Sequence, residues 1–242
     1  MYSSTRGIVF HLTRYSDTSL VVKIFTELLG LRSYLVKGAR RPNSKMKASL
    51  FQPLSLLELV VSDREKSELH HIREARIAYP FKSLTSDINK SSILLFLNEL
   101  LYKSIREEAA NKELFGFIFD NIVRLDQATQ NVAHFHLLFA VQLSRYLGFF
   151  PRHRYTNEAT VFDMEDGVFT DLLPVSHSQL LRGAVCKYFS DLANTPMDKF
   201  YELRAGKSIR NELLEKLITY YTIHLPISGE FKSHRVLHEL FR

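Results

Sequence analysis

The chain has 242 residues, 45% of them hydrophobic, 12% aromatic and 24% charged, which excludes disordered, collagen-like and coiled-coil classes. A single cysteine, Cys186, excludes a disulfide framework and any multi-thiolate metal site within one chain. The net charge of +6 lies in the first third: residues 1–80 hold 13 Lys and Arg against 7 Asp and Glu, whereas residues 81–242 hold 19 of each.

The first 80 residues read as five strands. Gly7–Leu12 is a short apolar run, and Ser19–Thr26 is rich in β-branched residues. Leu31–Lys37 alternates, with Leu31, Ser33 and Leu35 on one side and Arg32, Tyr34 and Val36 on the other. Leu50–Ser62 is long and apolar with Pro53 inside it, so a strand there begins after the proline or bulges at it; periodicity leaves a helix open for this stretch. His70–Tyr79 alternates in part. Five short strands in so few residues suit a small OB-fold barrel. Pro80 marks a boundary.

Beyond it the spacing turns helical. Ser91–Arg106 carries Ile93, Leu94, Leu97, Leu100, Leu101 and Ile105. Asn111 and Asn131 read as N-caps of a second and a third helix, and Gly148 followed by Pro151 closes the third. Residues 149–175 are irregular, with Asp166-Gly167 between two β-rich runs as a hairpin signal. Ser176 and Gln179 form a capping-box pattern for a fourth helix. A fifth helix is expected over about Ser208–Tyr221 and a short sixth over Ser233–Phe241. The expected class is therefore α+β and multi-domain. An OB-fold occupies residues 1–80, and an all-helical domain occupies 81–242 with a hairpin insertion at 149–175.

The charge points to a partner. Between Leu28 and Leu57 there is no Asp or Glu, while Arg32, Lys37, Arg40, Arg41, Lys45 and Lys47 all fall inside. Such a block is an electrostatic footprint for a polyanion, and the bland alternative is a solvated loop. Long Arg and Lys stems reach backbone phosphates. Tyr34 and Phe51 bracket the loop as candidate stacking faces, with core packing as the alternative. The loop has no Gly-x-x-x-x-Gly-Lys-Ser/Thr pattern, so it is not a nucleotide-hydrolysing phosphate loop.

These residues carry a resemblance. Gly7-Ile8-Val9, Tyr15–Val22, Phe25-Thr26 with Gly30-Leu31, Lys37-Gly38-Ala39-Arg40-Arg41-Pro42 and Leu50–Leu59 with its Gln52-Pro53 resemble the RecO family of bacterial recombination mediators. The likeness is strong over about residues 5–62. It continues more weakly at Phe96–Leu101, Tyr146–Pro151 and Ser233–Leu237. It implies an N-terminal OB-fold and a C-terminal helical domain, binding of single- and double-stranded DNA, and annealing of complementary strands. It also implies partnership with RecR in loading RecA onto DNA coated by single-stranded-DNA-binding protein, whose acidic tail such proteins bind. A bacterial, cytoplasmic and nucleoid-associated location follows from it. So does the cytoplasm from the sequence, which has no apolar run of roughly 18 residues and no signal-peptide core.

One departure matters. Many relatives carry a four-cysteine zinc site after the glycine that ends the third helix, but Phe149–Val175 has no cysteine. Structural zinc needs four mostly Cys or His ligands, so no zinc and no other cofactor is expected. Phe149, Phe150, Phe162 and Phe169 are expected to hold the region by packing. Other candidates read as structural. His70 and His71 point to opposite faces of a strand and read as surface residues. His134 and His136 diverge on a helix, Cys186 reads as buried packing, and Glu107-Glu108 read as a solvated face. Lys232, His234, Arg235 and His238 could offer a basic groove to an acidic peptide, with core packing of the last helix as the alternative. No catalytic motif is present, so the reading is a non-enzymatic protein of recombinational DNA repair. A generic RNA-binding OB-fold protein is the alternative.

Overall fold

The computed structural model describes residues 2–41, 43–62, 69–106, 109–156, 160–171 and 178–240. The chain divides into two compact units. The first holds residues 1–82 and also 105–123; the second holds 83–104 and 124–242.

The first unit is a closed barrel of five strands: β1 (Tyr2–Arg14), β2 (Leu20–Thr26), β3 (Gly30–Val36), β4 (Leu56–Ser62) and β5 (His70–Ile77). The order around the barrel is β1-β2-β3-β5-β4, closed by β1 on β4. All pairs are antiparallel except β3 with β5, which run parallel from Tyr34↔His70. This is OB-fold connectivity. β1 is twice the expected length because it serves two neighbours. Tyr2–Ile8 pair with β4, and Gly7–Arg14 pair with β2. A register shift between Val9 and His11 marks a bulge at Phe10, which bends the strand around the barrel. Leu50–Ser62 splits: Ala48–Phe51 form a 3-10 turn, and the strand starts at Leu56, after Pro53.

The barrel core joins Val9, Leu20, Val22, Ile24, Tyr34, Val36, Phe51, Leu57, Leu59, Val61 and Ile72. Gly7 lies where β1 meets both neighbours. A Cβ there would come within 2.6 Å of Leu59 Cδ1 and 2.7 Å of Ile24 Cγ2, closer than packed carbon atoms sit. Gly7→Ala is expected to destabilise the barrel by about 1–3 kcal/mol through overpacking. A urea midpoint equal to that of the unsubstituted chain would contradict this.

The stretch 105–123, expected with the helices, belongs to the first unit. Its helix α2 (Lys112–Gln127) begins with Asn111 Oδ1 accepting the Leu114 N–H at 2.9 Å, as its N-cap reading predicts. α2 runs on past Val123 into residues of the second unit. Phe115 packs on Phe25 at 5.9 Å, and the Arg6 guanidinium lies over the rings of Phe115 and Phe119 while bonding both Glu27 oxygens. Phe25 in turn stacks on Phe10. An apolar patch of the barrel is thus covered by residues distant in sequence, which no local pattern announces.

The second unit is built from α1 (Ile88–Ser104), α3 (Phe135–Tyr146), α4 (Gly183–Asn194), α5 (Lys207–His224) and α6 (His234–Leu240). It also has a small sheet in the order β7-β6-β8, from β6 (Val161–Asp163), β7 (Val168–Thr170) and β8 (Leu180–Leu181). α3 packs on α1, α4 and α5, and its residues Phe135–Val141 are all buried, so it is apolar all round. Buried Asp126 accepts the N–H groups of Ser83 and Leu84, and Lys90 Nζ donates to Ser83 Oγ, Asp126 O and Ala128 O. Asn131 accepts the Ala133 N–H in a turn that leads into α3.

Val161–Asp163 and Val168–Thr170 form the expected hairpin, with Gly167 at φ +67° closing the turn and Asp163 Oδ1 accepting the Glu165 and Asp166 N–H groups. Phe162 touches Phe169, Phe189 and Tyr220, and Phe149 stacks on His224. Phe150 instead lies under the Arg145 guanidinium. The expected capping box is not what opens α4. Ser176 lies outside the described residues, and Leu180–Leu181 pair with β6 instead, so the helix starts at Gly183. A further 3-10 segment, Met197–Glu202, had no sequence signal. α6 packs on α1 through buried Leu237, with Glu99 accepting the Lys232 and Ser233 N–H groups. Its His234 and His238 both face Glu215, so this helix is packed rather than left as an open groove floor. Among the described residues no helix is long and apolar enough to cross a membrane.

Candidate nucleic-acid interface

The basic segment is the loop that joins β3 to the 3-10 turn, and its shape follows from a few small residues. Gly38 sits at φ +70°, a left-handed conformation that a Cβ disfavours. It lets the chain reverse, with the Arg41 N–H bonding Gly38 O at 3.0 Å. Ala39 is then turned into the barrel core, and the Ala48 N–H bonds Ala39 O at 3.0 Å, closing the loop. Met46, Ala48 and Leu50 pack against the core as well. Lys37, Arg40, Arg41, Lys45 and Lys47 are all exposed. Apolar anchors hold the backbone and force the long cationic stems outward. Among the described residues none of the five is in an ion pair with a carboxylate.

Arg32 stands apart from them. It lies on β3 opposite Ile24, partly buried, with Nε donating to Leu29 O at 3.1 Å and Nη1 3.5 Å from His70 Nε2. Its position on the Tyr34 face turns it toward the barrel interior, so the structure groups five of the six candidates and leaves this one aside.

Neither expected stacking face is available. Tyr34 and Phe51 are both fully buried in the barrel core, because each falls on the inward side where the barrel needs volume. His70, read as a surface residue, is also buried, against Tyr34. Among the exposed aromatics of the described residues, Tyr15, in the β1–β2 loop, is the one at this end of the barrel, whereas Tyr2 lies at the start of β1. Sequence reading treated the Tyr15 segment only as a separator between strands. The signal was there: an aromatic at a turn position, where no strand face buries it.

The two loops share one end of the barrel. Arg14, Leu20 and Val36 are aligned across β1, β2 and β3, so the β1–β2 loop and the basic loop leave the sheet side by side. They are joined directly: the Arg40 N–H bonds Thr18 O at 3.2 Å, and Arg40 Nη1 bonds Asp17 O at 3.0 Å.

The remaining titratable candidates are internal. His134 Nδ1 is 2.6 Å from the Tyr188 hydroxyl, and burial, with Arg210 and Arg204 adding repulsion, lowers its pKa to about 4. His136 is buried against Phe96, and burial, with His134 and Arg210 contributing, lowers its pKa to about 3. Burial raises the Cys186 thiol to about 11, so it is not a nucleophile at neutral pH. Glu107 and Glu108 lie outside the described residues. The stretch Phe149–Val175 does not suit a structural zinc ion: it lacks cysteine, and Asp163 is committed to its own turn. Among the described residues no three His, Cys, Asp or Glu side chains converge on one point.

The fold defines the class: an OB-fold barrel with an unneutralised cationic loop, in a chain that continues into a helical unit. Family models described as Recombination protein O N terminal and Recombination protein O C terminal match residues 1–81 and 85–234. The chain is 37% identical over 241 residues to the DNA repair protein RecO of Bacteroides fragilis, covering 100% of both chains. It is also 37% identical to that of Phocaeicola vulgatus over 241 residues and 35% identical to that of Flavobacterium psychrophilum over 242, again covering 100% of both chains. The chain belongs to the RecO family and has a role in DNA repair.

Proposed function

We propose that the protein is a non-enzymatic DNA-binding and strand-annealing factor that holds backbone phosphates on Lys37, Arg40, Arg41, Lys45 and Lys47. The observation that carries this reading is the loop itself: five exposed cations, with no carboxylate paired to them among the described residues, on a rigidly anchored turn of an OB-fold barrel. Such a surface binds phosphate by counterion release and is indifferent to sequence. Strands that are each partly neutralised repel one another less, so complementary strands pair faster. The family relationship supports the wider role, in which the protein acts with RecR and with the acidic tail of single-stranded-DNA-binding protein to load RecA. Arg32, engaged by Leu29 O, serves the barrel rather than the DNA.

The test is annealing of two complementary labelled strands. The protein is expected to speed duplex formation and to leave both strands chemically intact. A variant with the five loop cations changed to alanine is expected to lose the acceleration. Unchanged acceleration in that variant, or cleavage of the strands, would contradict the proposal.

A further inference from the structure

We propose that Tyr15 is a base-stacking platform at the edge of this interface, through which the barrel distinguishes unpaired from paired strands; this rests on the DNA-binding reading above. Tyr15 is 62% exposed, and among the described residues it makes no ring contact. An exposed aromatic alone would mean little. Here it stands on a fixed support beside the cations. The Tyr15 and Ser16 N–H groups both bond Ser19 O, and the Ser19 N–H bonds Ser16 Oγ, so the loop is a closed turn. Arg40 then ties that turn to the basic loop through Asp17 O and Thr18 O.

Arg14, at the end of β1, is exposed next to it. Together the two loops present Arg14, Lys37, Arg40, Arg41, Lys45 and Lys47 against one carboxylate, Asp17. A phosphate backbone held by those cations brings its bases within reach of the Tyr15 ring. Every unpaired base offers a π-face, so stacking adds affinity without reading sequence. Bases within a duplex are already stacked on one another and offer no free face, so the ring contributes only to single strands.

The chain has no tryptophan, so Tyr15→Trp installs a single reporter. That variant is expected to bind a fluorescent oligothymidine as the wild type does, and an unlabelled oligothymidine is expected to quench its indole emission. Tyr15→Ala is expected to weaken single-strand binding about 5- to 100-fold, with the salt slope unchanged and duplex binding unaffected. If Tyr15→Ala binds oligothymidine normally while the loop-cation variant loses its salt dependence, the stacking role is overturned and the DNA-binding reading stands. If the wild type shows no salt-dependent DNA binding, the DNA-binding reading falls and the stacking role falls with it.

Discussion

At pH 5 the protein is expected to be about 4 kcal/mol less stable than at pH 7.5, because two buried histidines of the helical unit must stay neutral. His134 and His136 have folded-state pKa values of about 4 and about 3, against an ordinary value of 6.5. The folded pKa values are depressed, so the unfolded chain takes up protons first. Stability is complete above pH 6.5 and falls as the pH drops toward 4 and then 3. Each group loses up to about 1.4 kcal/mol per pH unit in that window, or about 2 kcal/mol by pH 5. The geometry agrees. His134 is enclosed with the Tyr188 hydroxyl 2.6 Å from its Nδ1, and Arg210 and Arg204 disfavour a charge there, so the cost of protonation is that of placing a cation in the core. Urea midpoints at pH 7.5 and 5 measure the loss, and His136→Leu should remove about half of it. Equal stability at the two pH values would contradict the burial of neutral histidines. So would an unchanged loss in the variant.

The second large effect is on DNA. Each phosphate contact to a single strand adds about 0.7 to the slope of log K against log salt, which is worth roughly fourfold in affinity at 0.15 M salt. Replacing Lys37, Arg40, Arg41, Lys45 and Lys47 together should therefore weaken single-strand binding by roughly 10²- to 10³-fold at that salt, whatever the base sequence. Arg32→Ala should leave affinity nearly unchanged and instead loosen the barrel, since its guanidinium braces Leu29 O beside His70. If Arg32→Ala weakened binding as much as a loop substitution, the separation of Arg32 from the other five would be wrong. Binding affinities of the single and combined variants, measured by fluorescence anisotropy, decide between these outcomes.

Much of this was legible in the sequence, for reasons that differ by residue. Val21–Phe25 and Leu56–Val61 are apolar and β-branched enough to announce strands. Pro53 located the start of β4, and Asn111 located the start of α2. Asp166-Gly167 gave the hairpin. What failed was nonlocal. The first apolar run begins at Gly7, yet the strand begins at Tyr2, because β4 pairs with the polar residues before the run. The covering of Phe25 by Phe115 depends on residues far apart in the chain. Leu180 and Leu181 fit a helical spacing but satisfy the free edge of β6. The cationic loop was visible as a charge run, because charge density survives without a fold. Which aromatics face water was legible only in part: the turn position of Tyr15 leaves no strand face to bury it, but the inward side of Tyr34 and the burial of Phe51 depend on where the barrel needs volume.

The most direct test of the loop as the DNA site is the slope of log K against log salt for an oligothymidine, compared between the wild type and the variant with Lys37, Arg40, Arg41, Lys45 and Lys47 changed to alanine. The account predicts that the slope flattens by about 3 to 4 in the variant. Parallel slopes would show that phosphate is held elsewhere on the molecule.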